Sequence, residues 1–181
     1  MTTGWVTLPD FILLLLLLLA SIIDMRRHRI PNLLSLGGTA AGLLLAALGF
    51  GEISLVDSAL GLALGFACLL PLYAKKIMGA GDVKLMMAVG SFLGPSATFW
   101  AVLYTFIAGG IMGMAVLIHR DGLKETAGRY IFGIKHLVLG GAWLGSRVDP
   151  SGTGPLRFPY AAAIMVGALA ANILWSTGGQ A

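Results

Sequence analysis

The sequence predicts an all-α, polytopic membrane protein with six transmembrane helices and one further interfacial or re-entrant helix, and three observations predict it. Hydrophobic residues make up 57% of the 181 residues and charged residues only 11%, more apolar sequence than a soluble core of this size needs. The apolar residues gather into long runs, and a hydrocarbon core of about 30 Å takes about 20 helical residues at ~1.5 Å each. The cations gather at three places along the chain, residues 26–29, 75–84 and 120–157. With no internal repeat or low-complexity linker, residues 1–181 read as a single membrane-embedded domain.

The first helix is expected from Val6 to Ile23. Its leucine-rich stretch Phe11–Ala20 resembles a signal-peptide core, but Met1 to Pro9 holds no Lys or Arg, while Arg26, Arg27 and Arg29 follow the run directly. That order of charges belongs to a retained helix with its N-terminus outside. The second helix is expected from Leu33 to Phe50, entered through Ile30-Pro31-Asn32. Proline suits a first helical turn, and Asn32 is able to accept backbone hydrogen bonds as a cap. After the Gly49-Phe50-Gly51 turn, a third helix runs from Ile53 to Ala74. The fourth is short, Val83 to Leu93, bounded by Gly79-Ala80-Gly81-Asp82 and by Gly94-Pro95-Ser96. A fifth runs from Ala97 to Ile118 and a sixth from Tyr160 to Trp175, entered through Phe158-Pro159-Tyr160. Tyr130 to Leu144 is oily yet broken by Lys135, His136 and glycines, and reads as the interfacial or re-entrant helix.

With the N-terminus outside, all 12 Lys and Arg fall on the cytoplasmic side, and the outer loops hold only the acids Asp10, Glu52 and Asp57. The net charge of +4 is therefore a topology signal and an attraction to anionic lipid, and implies no nucleic-acid partner. The single cysteine, Cys68, lies in an apolar run, which excludes a disulfide framework or a paired-cysteine zinc site within this sequence. No cluster of His, Cys and carboxylate has metal-ligand spacing, so neither metal nor other cofactor is expected.

Against this background two aspartates stand out. Asp24 ends the first oily run and Asp82 opens the fourth, and an ionisable side chain at membrane depth costs about 3 kcal/mol or more. Counting back from Gly94, the 12 residues to Asp82 span only ~18 Å of a ~30 Å core. Asp82 is thus expected several Å inside the cytoplasmic surface. Irregular backbone at that depth has to be covered by protein or line a wet cavity. Gly79 and Gly81 allow positive φ and the close approach of another backbone, such as an extended substrate. Taken singly, each aspartate is explained as a helix cap or as a partner of nearby cations, Arg26 to Arg29 for Asp24 and Lys84 for Asp82. Lys84 is expected to snorkel to lipid phosphate, the alternative being that its charge biases the ionisation of the pair. Taken together, two carboxyl groups sharing one proton activate a water and protonate a leaving nitrogen, the two needs of amide hydrolysis.

Gly79-Ala80-Gly81-Asp82 followed by Val83-Lys84 resembles the GxGDxK signature of the type IV prepilin peptidases, which are intramembrane aspartyl proteases. Asp24 followed by Arg29-Ile30-Pro31-Asn32 resembles that family's other element, and Phe158-Pro159-Tyr160 is similar to a looser third one before the last span. The resemblance covers Leu13 to Ala171. It implies Asp24 and Asp82 as catalytic residues, Gly79, Gly81 and Lys84 as an active-site loop, and Ile30, Pro31, Asn32, Pro159 and Tyr160 as structural motifs. It also implies a prepilin-like precursor as partner, cut after a glycine just before its hydrophobic segment, and no cofactor. Larger members carry an insertion with paired CxxC motifs associated with N-methylation. Arg26 to Leu34 is nine residues long, too short for it, so the resemblance is closest to the short peptidase-only branch serving tight-adherence (Flp-type) pili. Asp121, Glu125 and Asp149 are cytoplasmic acids able to meet a basic leader, and Asn172 is expected to hydrogen-bond between helices. Two other classes use the same residues: a small proton- or cation-coupled transporter, which lacks an inverted repeat in support, and a noncatalytic assembly subunit.

Overall fold

The computed structural model describes residues 7–27, 29–51, 53–75, 77–121 and 160–178. They form helices α1 (Leu8–Arg27), α2 (Asn32–Ala47), α3 (Leu55–Ala74), α4 (Ala80–Asp121) and α5 (Tyr160–Gly178). Three stretches are long and apolar enough to cross a bilayer, Leu8–Arg27, Leu55–Ala74 and Ala80–Ala115, whereas Asn32–Ala47 and Tyr160–Leu174 are apolar but shorter. The all-α class holds, but the six transmembrane helices expected from hydropathy are not shown among the described residues. Hydropathy continues through Leu48-Gly49-Phe50, but the helix does not: α2 stops at Ala47 and Gly49 turns out with φ 73°. The expected fourth and fifth helices form one run, α4, interrupted at Gly94 with φ 73° and ψ 177°. The break follows from the Gly-Pro pair, since proline lacks an N–H and pushes the residue before it out of the helical region.

Two of the acids read as outer-loop charges belong to helix starts. Asp10 accepts from the backbone N–H of Thr7 at 3.0 Å and from its hydroxyl at 2.6 Å. At α3, the Ser54 hydroxyl accepts from Asp57 N–H at 3.1 Å and donates to its carboxylate at 2.7 Å. Both are capping boxes with aspartate at the third helical position, where the helix dipole also favours a negative charge. At α2 the expected cap is displaced by one residue. Pro31 is the N-cap (φ −61°, ψ 134°) with no side-chain cap bond, and its carbonyl accepts from Leu34 and Ser35. Asn32 is already the first helical residue, where its side chain stands beside the turn rather than over the orphan N–H groups.

The residues up to Gly109 together with those from 159 onward form one compact unit, and a second begins at Gly110. In the first, α1 packs against α5 and α2, and α2 packs against α3. Three polar contacts order α1 against α5: Asp24 with the N–H of Ala161 at 3.2 Å, Ser21 Oγ with Met165 Sδ at 3.7 Å, and Asp10 with Asn172 Nδ2 at 3.0 Å. Numbers falling on one helix as they rise on the other make the pair antiparallel. Asn172 thus makes the interhelical bond expected of it. The same logic orders α3 and the first part of α4, where Gly61 faces Gly90 and Gly65 faces Met86. The Ser58 hydroxyl donates across this seam to the Ser91 carbonyl at 2.6 Å. A Cβ on Gly61 would run into the Gly90 carbonyl oxygen, and one on Gly90 into that of Gly61, the backbone-to-backbone packing that small residues permit in membranes. Leu17, Leu69, Leu85, Met86, Val89 and Ile164 are fully buried, whereas Leu33, Leu44, Val56 and Ile107 point outward, as helices bathed in lipid require.

Candidate active site

Asp24 reaches the interior because of helical periodicity. The buried positions of α1 are Leu13, Leu16, Leu17, Ala20, Ser21 and Asp24, one stripe at three- and four-residue spacing. The aspartate ends that stripe one turn before the helix does, and is 6% exposed. Its Oδ2 accepts from the backbone N–H of Ala161 at 3.2 Å. That N–H is one of the unpaired donors of the first turn of α5, at the positive end of its dipole.

Asp82 is the third residue of α4 and is half-buried. Its Oδ2 accepts from the N–H of Gly79 at 3.1 Å, the reach-back half of a capping box whose cap has no side chain. The facing pairs Gly61 with Gly90 and Gly65 with Met86 put Asp82 level with Leu69. Leu69 lies five residues before the end of α3, or ~7.5 Å along the axis. Both aspartates therefore lie within two turns of a helix end. Although 58 residues apart in sequence, their surroundings touch: Ile30, six residues after Asp24, packs against Gly81, the residue before Asp82.

The glycines of the loop do something other than expected. Positive φ occurs among the described glycines at Gly49, Gly51 and Gly94 only; Gly79 and Gly81 sit at a helix start, where φ is negative. What matters is the missing Cβ. At Gly79 a Cβ would lie 3.2 Å from Asp82 Oδ2, and at Gly81 3.1 Å from the Ile30 Cβ. At Gly81 the space a Cβ would need is taken by the side chain of Ile30, which is partly buried against the core.

Lys84 has a protein partner that its sequence neighbours do not indicate. Two positions beyond Asp82 it faces away from that carboxylate, and its Nζ donates to Asn32 Oδ1 at 2.9 Å. The bond forms because Asn32, at the start of α2, stands beside the first turn of α4. Tyr160 opens α5, and a Cβ at Gly109 would lie 3.2 Å from its ring, so the ring seats the start of α5 against α4 and holds Ala161 over Asp24. Pro159, Glu125, Asp149 and the stretch Tyr130 to Leu144 lie outside the described residues. Among the described residues, no three of His, Cys, Asp and Glu are grouped to hold a metal ion.

Sequence reasoning did not find the Ala161 N–H, because a backbone donor carries no side-chain signature; its only trace is a position one residue into a helix. Nor did it pair Asn32 with Lys84, since each had a plausible local role.

The model of the type IV leader peptidase family matches residues 11–114. The chain belongs to that family. The matched stretch contains Asp24, Ile30-Pro31-Asn32 and Gly79 to Lys84, and stops short of Tyr160. A curated relative, the prepilin leader peptidase/N-methyltransferase of Aeromonas hydrophila, is 34% identical over 125 residues, 65% of this chain and 43% of that protein. The protein of the same name from Aeromonas salmonicida (strain A449) is 33% identical over 128 residues, 67% of this chain and 44% of that one. The aligned stretch thus spans less than half the length of these leader-peptidase relatives. No solved structure matches the chain at a significant level.

Proposed function

We propose that the protein is an aspartic endopeptidase that removes the leader peptide of a type IV prepilin-like precursor at the cytoplasmic face of the inner membrane, with Asp24 and Asp82 as its catalytic pair. The observation that carries this reading is the contact of Ile30, six residues after Asp24, with Gly81, the residue before Asp82, in a chain of the leader peptidase family. Each also has one oxygen on a backbone N–H, and carboxyls held in one orientation suit a shared water.

In the reaction, water loses a proton to the ionised carboxyl as its oxygen attacks the scissile carbonyl carbon. The protonated partner gives its proton to the carbonyl oxygen. Collapse of the tetrahedral intermediate breaks the C–N bond: the leaving nitrogen takes up a proton from the pair, and one hydroxyl of the intermediate returns its proton to the pair as the new carboxyl group forms. No metal is required, because both proton transfers are served by the two side chains.

The precursor has a hydrophobic N-terminal helix that shares the bilayer, so its scissile bond arrives near the depth of Asp82. The one-sided placement of the cations supports an N-terminus outside and a pair toward the cytoplasm. The short link from Arg27 to Asn32 supports the peptidase-only, Flp-type branch. The names of the relatives join leader cleavage to N-methylation; only cleavage is proposed for this chain.

The test is co-expression with a Flp-like precursor, read as a shift in precursor size. The wild-type protein shortens it, and Asp24→Asn and Asp82→Asn each abolish the shortening. Processing by both variants at the wild-type rate overturns the assignment.

A further inference from the structure

We propose that Asn32 and Lys84 are positioning residues that clasp the α1–α2 link onto the first turn of α4 and thereby set the separation of Asp24 and Asp82; this rests on the peptidase reading. The link joins the end of α1 to the start of α2. It leaves α1 one turn after Asp24 and meets α4 at two points, Ile30 against Gly81 and Asn32 against Lys84.

Those two points share one face of α4. Gly81 and Lys84 are three residues apart and therefore neighbours on the helix surface, whereas Asp82 is rotated about 100° from Gly81 and about 160° from Lys84. The link thus presses on the back of the turn whose front carries the carboxylate, without covering it. Gly81 has no Cβ and admits Ile30 to contact, but that apolar contact alone allows sliding. The 2.9 Å bond from Lys84 Nζ to Asn32 Oδ1 adds a directional constraint at the other end of the same face. The acceptor is a neutral amide, so the lysine acts here as a donor of fixed geometry. Pro31, held at φ −61° as the N-cap of α2, stiffens the segment between the two contacts.

The test uses the full chain, purified and reconstituted, with a precursor peptide as substrate. Lys84→Met and Asn32→Leu each keep the apolar stem and remove the bond. Each is expected to lower kcat about tenfold to hundredfold, the range for a misplacement near 1 Å, with KM within about twofold of wild type. The double variant is expected to fall no lower than the worse single one, because both remove the same bond. Asn32→Asp, which keeps the acceptor, restores kcat to within about threefold of wild type. A double variant whose loss is the product of the single losses, or a loss confined to KM, overturns the clasp while leaving the peptidase reading intact. A wild-type protein that does not cut the precursor defeats the peptidase reading instead.

A second measurement does not depend on cleavage. Spin labels at Asp24→Cys and Asp82→Cys, in a Cys68→Ser background, are expected to show a narrow distance distribution that broadens when Lys84→Met is added. A distribution unchanged by that substitution overturns the proposal.

Discussion

Replacing Gly61 with alanine forces α3 away from α4. The new Cβ would lie 2.8 Å from the carbonyl carbon of Gly94 and 2.9 Å from its Cα, with the Gly90 carbonyl oxygen nearer still. All three are backbone atoms, so no rotamer change relieves the overlap, and α3 has to retreat by about 1 Å to reach ordinary contact. Overpacking of this kind costs about 1–3 kcal/mol. The retreat also stretches the Ser58–Ser91 hydrogen bond, 2.6 Å long, a loss of about 1 kcal/mol, which the better helix propensity of alanine offsets by about the same amount. The net destabilisation, about 1–3 kcal/mol, lowers Tm by about 2–12 °C for a chain of this size. Gly37→Ala is the control. It lies in α2 with nothing within 4 Å of an added Cβ, and gains about 0.4–1 kcal/mol because only chain entropy and propensity change. Thermal unfolding of the purified protein in detergent, followed by circular dichroism, compares the two. A Gly61→Ala protein that melts as high as Gly37→Ala refutes the tight glycine seam between α3 and α4.

Other consequences are more local. Asp24→Asn keeps an oxygen to accept the Ala161 N–H, so it should abolish precursor processing with little change in Tm, whereas Asp24→Leu, leaving that N–H without its acceptor, should cost a further ~1–3 kcal/mol in thermal unfolding. Gly79→Ala crowds the Asp82 carboxylate and Gly81→Ala crowds Ile30, each at just over 3 Å; both should lower kcat on a precursor peptide about tenfold or more. Asn172→Leu removes the bond to Asp10 at 3.0 Å, and should cost about 1 kcal/mol, read as ~2–4 °C in Tm. Asp10 is 14 residues, or ~21 Å, along α1 from Asp24, so processing by Asn172→Leu should proceed at the wild-type rate.

The capping boxes show how a legible signal is lost to a broader one. Thr7 with Asp10 and Ser54 with Asp57 carry the spacing of a helix start in plain sequence, yet apolar runs drawn from Val6 and Ile53 take in all four and pass over both starts. The same bias stretched α2 to Phe50, since leucine, glycine and phenylalanine there keep the average apolar. A helix ends where its backbone turns, as at Gly49.

From the sequence alone came the membrane class, the break at Gly94-Pro95 and the two aspartates with their family, because apolar runs, Gly-Pro pairs and intramembrane charges are signals carried within a few neighbouring residues. The tertiary structure decided which groups meet: Ala161 with Asp24 across 137 positions, Lys84 with Asn32 across 52, and Gly61 with Gly90. Such pairings depend on how helices cross and in what register. One of them is made by a backbone N–H, which every residue but proline possesses, so its location is set by packing and not by any side chain's identity.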